Sequence, residues 1–81
     1  MSYTKKSIDL VEDVWCYFEN NYKGSEITLE LVLRELYRRA DTRNNLVNAI
    51  KYLWSCYEFY DYDYKDYCKN YIYNNYGVKV K

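Results

Sequence analysis

The chain has 81 residues, with twelve Lys and Arg balancing twelve Asp and Glu, no histidine, no proline and two glycines. At that length one domain spans residues 1–81, burying only about 60–65% of its extended surface. No histidine removes the usual neutral-pH base and zinc ligand, Gly24 and Gly77 cannot build a phosphate loop, and no apolar run of about 18 residues offers a membrane span.

The opening MSYTKKSIDL holds no apolar signal core, so a cytoplasmic protein is expected. Ser7 is placed to cap a first helix, with Asp9, Glu12 and Asp13 toward the positive end of its dipole. At 100° per residue Leu10, Val11, Val14, Trp15, Phe18 and Tyr22 share one side, with Ile8 and Tyr17 at its margins. That arc is wider than the ≳ 100° stripe one core needs. The excess is either ordinary core or a homodimer seam through Leu10, Val14, Tyr17 and Phe18, and the seam is the reading favoured. Cys16 falls on the polar side, among carboxylates that disfavour a thiolate.

Gly24 is available for a left-handed stop after the first helix. A second helix follows from Leu29 to Arg39, with Thr28 as its cap and Ile27 stapling onto Val32. Leu29, Val32, Leu33, Leu36 and Ala40 recur at threes and fours, which makes them the inner face. Asp41 and Thr42, both good caps, precede a third helix over residues 43–55, whose inner stripe is Leu46, Ala49, Ile50 and Leu53. Asn44, Asn48, Lys51, Tyr52 and Ser55 face the other way, with Asn45 at the edge. Two or three residues separate these helices, so they meet at a steep angle.

From Cys56 the pattern is double. Tyr60, Asp61, Tyr62, Asp63 and Tyr64 alternate as in a strand, while Tyr60, Tyr64, Tyr67, Cys68 and Tyr71 repeat as in a helix. A bridge between Cys56 and Cys68 is possible, beside the plainer reading of three reduced thiols. Asp61, Asp63 and Asp66 lack the glycine turn and distal glutamate of a calcium loop. The last segment reads as a hairpin over residues 67–81 turning at Asn74-Asn75, because asparagine tolerates the positive φ of a type I′ turn. That pairing puts Tyr71, Tyr73, Tyr76, Val78 and Val80 on one face and Lys79 and Lys81 on the other.

The charges are segregated along the chain. Residues 34–51 hold five cations against two acids, and residues 67–81 hold three lysines and no acid. Residues 7–33 hold six acids against one lysine. A polyanion responds to local potential, not to the sum. The 13 tyrosines have two explanations: AT-rich codons, or a surface used for stacking and assembly.

Three helices with a tight turn before the third, then a basic hairpin, resemble the winged helix-turn-helix family of small DNA-binding regulators. Leu36, Ala40, Val47 and Ile50 stand where that family keeps apolar residues to lock its two helices. Tyr37 departs from the family's small residue, and Asp41 from its turn glycine. In style the chain also resembles small proteins of crenarchaeal viruses and plasmids.

The resemblance implies an α+β fold of three helices and a C-terminal β-hairpin wing. It further implies an intracellular regulator of transcription that binds double-stranded DNA without a cofactor. Helix 43–55 would enter the major groove, with Asn44, Asn45 and Asn48 placed for adenine, Lys51 for guanine or phosphate, and Arg43 and Tyr52 beside them. The wing would give backbone contacts from Lys69, Asn74, Asn75, Lys79 and Lys81. The alternative is a protein-interaction or assembly module using helix one and the tyrosine-rich segment, without nucleic acid. Single-strand binding by tyrosine stacking is a third reading. No acid–base pair or nucleophile constellation supports an enzyme.

Overall fold

The computed structural model describes residues 3–80, arranged as four α-helices and one 3₁₀ turn. Helix α1 spans Lys5–Asn21, α2 Leu29–Arg39, α3 Arg43–Cys56 and α4 Tyr62–Tyr76, with the 3₁₀ turn at Gly24–Glu26. Among the described residues there is no strand, so the α+β winged-helix expectation is overturned.

The first helix starts earlier than the sequence suggested. Thr4 is its cap, accepting the Ser7 amide at 3.2 Å, while the Ser7 hydroxyl donates to the Thr4 carbonyl at 2.8 Å. Ser7 is thereby fully buried without an orphaned polar atom. Gly24 does not supply a left-handed stop: Tyr22 ends α1 in an extended conformation, and Gly77 is the one positive-φ residue among those described.

The next two helices follow the sequence. Thr28 accepts the Leu31 amide at 3.3 Å and Thr42 accepts the Asn45 amide at 3.1 Å, each satisfying one free donor of a first turn. Val32, Leu33, Leu36, Ala49 and Ile50 are completely buried, and Val14 of α1 joins them. Each large apolar side chain sealed in this way contributes about 1.5–3 kcal/mol against exposure. Tyr37 does not wedge the helices apart. It is 61% exposed and lies against the Tyr76 ring at 5.8 Å.

Where the wing was expected, α4 runs instead. Asp61 caps it by accepting the Asp63 amide at 2.9 Å and the Tyr64 amide at 3.4 Å. Tyr64, Cys68, Tyr71, Ile72 and Tyr76 then form its inner stripe, with Cys68 and Ile72 1% exposed. Asn74 and Asn75 are not a turn. They sit in the last helical turn, where the Asn75 amide donates to the Tyr71 carbonyl at 2.9 Å. The turn comes at Gly77, whose φ of 68° stops the helix and whose amide reaches the Tyr73 carbonyl at 2.9 Å. Helix and hairpin are both marginal alone in water, and the 15-residue helix wins because it seats Cys68 and Ile72 in the core. Tyrosine's preference for strands is too weak to reverse that balance.

Beyond Gly77 the chain folds back onto the core. Val78 and Val80 are buried and Lys79 between them is exposed, so the alternation expected of a strand is kept without a partner strand. Both ends of α4 are tied to α2 in matching order, Tyr64 to Glu30 and Tyr76 to Tyr37.

Candidate nucleic-acid interface

The outer side of α3 and the tail after α4 hold most of the residues picked out by sequence. Asn44 is exposed, and the half-buried Asn48 beside it donates to the Asn44 carbonyl at 3.4 Å. Asn45 is committed elsewhere: its amide donates to Asp41 at 3.2 Å and its Oδ1 is buried without a partner. Asp41 also pairs with Lys6, which holds its carboxyl below the usual range and ties the start of α1 to the α2–α3 turn.

One turn further along α3, Lys51 enters a cleft of about 450 Å³. Lys65 from α4 and Lys79 from the tail meet it there, with Tyr3, Trp54 and Phe59 as aromatic walls. The Lys65 ammonium lies 5.9 Å from the Phe59 ring centre, and Phe59 packs on Trp54 at 4.8 Å and on Tyr57 at 4.7 Å. Among the described residues no carboxylate lines this cleft. Lys79 also borders a second depression, of about 510 Å³, with Lys69, Asn70 and Tyr73, and its ammonium lies 5.9 Å from the Tyr73 ring. None of these four lysines makes an ion pair among the described residues.

Lys65 was missed by sequence because it sits in an acidic stretch. Read as a helix, Lys65, Lys69 and Tyr73 recur every four residues and share one face. That spacing was the available signal.

The remaining residues divide. Arg43 opens α3 with its guanidinium over the Gly77 turn, 3.2 Å from where a Cβ on Gly77 would stand. There it meets the partly negative end of α4. Tyr52 is half-buried, its ring packed 5.4 Å from Tyr3, and it does not itself line the lysine cleft. Asn74 and Asn75 are exposed near the end of α4, and Lys81 lies outside the described residues.

The basic end of α2 is partly neutralised. Glu35 accepts from Arg38 and from Arg39, each at 2.6 Å, and these bonds hold its carboxyl down to about 2. The face of α1 proposed as a dimer seam is largely taken up by the chain's own core. Val14 and Phe18 are buried and Leu10 is half-buried, which leaves Tyr17 at the surface with the Arg39 guanidinium 5.1 Å from its ring. All three cysteines are free, so the Cys56–Cys68 bridge is not formed. Cys16 and Cys56 are exposed and Cys68 is buried.

Comparison with protein-family models, curated proteins and solved structures finds no match to this chain.

Proposed function

We propose that this chain is a sequence-specific double-stranded DNA-binding protein, with α3 as its reading helix, acting as a regulator of transcription. The observation that carries the reading is the meeting of Lys51, Lys65 and Lys79 from three elements beside the outer face of α3, with no acid among them. A cleft of cations without carboxylates attracts phosphate, and Asn48 and Asn44, about one and two turns from Lys51, suit adenine in the major groove. The positioning role first given to a wing passes to the tail and the outer face of α4.

The test is a salt titration of duplex binding. Neutralising three or four phosphates gives a log–log slope of about −3 to −4, at roughly −0.9 per contact. No binding to mixed-sequence duplexes at about 50 mM salt would overturn the proposal.

A second reading, a self-assembling or partner-binding module, is favoured by Tyr60 and Tyr62, which are 93% and 81% exposed. Tyrosine is enriched in protein interfaces because it gives a large apolar body and a polar tip. Concentration-dependent sedimentation that Tyr60→Ala with Tyr62→Ala abolishes, together with absent duplex binding, would select it.

A further inference from the structure

On the side of α3 away from the lysines, a groove of about 590 Å³ opens between α1 and α3 and is closed at one end by the linker to α4. That volume is in the range of small-molecule sites, about 300–1,000 Å³. Its aromatic walls are Trp15 of α1, Tyr52 of α3, and Tyr57 and Tyr60 of the linker. The two charged residues that line it are both acids, Glu12 and Glu58. The Tyr60 hydroxyl donates to Glu58 at 3.3 Å, and its ring stands exposed at the rim. Residues 7–33, which contribute the α1 wall, carry six acids against one lysine and add a negative field.

We infer that this groove binds a hydrophobic organic cation. Faces of tyrosine and tryptophan present negative quadrupoles to a cation, and poorly hydrated cations lose little on leaving water. Glu12 and Glu58 supply the opposite charge at the rim, where a neutral or anionic apolar molecule would gain nothing from them. The lysine cleft on the other side of α3 has the reverse polarity, so the two sites select ligands of opposite sign. This inference does not rest on DNA binding.

The groove also carries its own reporters, because the exposed thiols of Cys16 and Cys56 both line it. The experiment is calorimetric titration of the protein alone with tetraphenylphosphonium and, separately, with tetraphenylborate, an anion of the same shape. The cation should bind at one site with a dissociation constant below about 100 µM, and the anion should not. Saturating cation should slow alkylation of Cys16 and Cys56 severalfold. Glu12→Gln with Glu58→Gln, two substitutions at exposed positions, should weaken the cation about tenfold. Equal binding of both ions, no binding of either at about 1 mM, unprotected thiols, or an unchanged double variant would each overturn it. With no DNA in the assay, failure here is separate from failure of the DNA-binding reading.

Discussion

The Tyr64 hydroxyl donates to the Glu30 carboxylate at 3.1 Å, joining the first turn of α4 to the first turn of α2 across 34 positions of sequence. Burial of the Tyr64 ring is the main reason its phenol is pushed up, so it remains a donor at any ordinary pH. Glu30 is only partly buried, so its charge keeps some solvent while gaining this one specific partner.

Tyr64→Phe should therefore lose about 1.5 kcal/mol, the low end for a hydrogen bond to a charged group. Glu30→Gln keeps an acceptor and should cost less. Urea midpoints of the two variants give the comparison. Wild-type stability in Tyr64→Phe would mean that Cys68 and Ile72 hold α4 unaided.

Gly77 and Gly24 should respond oppositely to alanine. At Gly77 the φ of 68° is unfavourable for any Cβ by about 1–2 kcal/mol, and the new carbon would stand 3.2 Å from the Arg43 guanidinium. Gly24 has a negative φ and nothing within 4 Å of an added Cβ, so alanine there should be neutral or stabilising by up to about 1 kcal/mol. Equal shifts in denaturation midpoint for the two variants would show that the Gly77 turn does not set the end of α4.

The difference between those glycines also marks what the sequence made legible. Helices α2 and α3 were readable because Thr28, and Asp41 with Thr42, precede regular apolar stripes; of the latter pair the structure uses Thr42. The cap of α1 was misplaced because Thr4 and Ser7 have the same chemistry, and only burial decides which hydroxyl is tucked inward. The tyrosine segment failed for a different reason. Tyr60 to Tyr64 fit both periods, and the decision came from Cys68 and Ile72 reaching the core, a tertiary fact. Of the candidate interface, Lys51 and Lys79 were visible as charges. Their meeting with Lys65 needed α4 to be a helix.

Lowering the pH should erase the contribution of Glu35. Its carboxyl is held down to about 2, first by the Arg38 hydrogen bond and then by that of Arg39. A depressed carboxyl contributes fully above the unfolded glutamate value of about 4.3, and the contribution is lost as pH falls toward 2. Glu35→Gln should thus cost about 0.5–1 kcal/mol at pH 6, a modest figure because the Arg38 side chain is 70% exposed and screened. The gap between variant and wild type should close near pH 2. It should also shrink with salt, and a gap that widens on acidification would reverse the assignment. Freed from Glu35, Arg38 and Arg39 should raise non-specific duplex affinity in the same variant.

Thiol counting checks the placement of α4 independently of stability. Cys16 and Cys56 are exposed, whereas Cys68 is 1% exposed and burial pushes its thiol up, which keeps it in the unreactive protonated form. Native protein should take up two equivalents of alkylating agent, and the third only after unfolding. Three fast equivalents under native conditions would mean that α4 opens readily from the core.

The division of labour on the proposed DNA face predicts two different kinds of loss. Asn44 is exposed on the first turn of α3 and receives the Asn48 side chain through its backbone carbonyl, which alanine keeps, so Asn44→Ala should leave stability nearly unchanged. If it reads a base, the variant should lose about 1–3 kcal/mol on a preferred site and relax the preference at one base pair. Lys79 stands between the buried Val78 and Val80, which anchor the tail, and its exposed side chain borders both the lysine cleft and the depression at Tyr73. Lys79→Ala should weaken all duplexes alike and make the salt slope shallower by about one. Competition titrations with the preferred and a scrambled duplex at two salt concentrations separate these outcomes. Identical behaviour of the two variants would mean that α3 supplies charge to the interface and no sequence recognition.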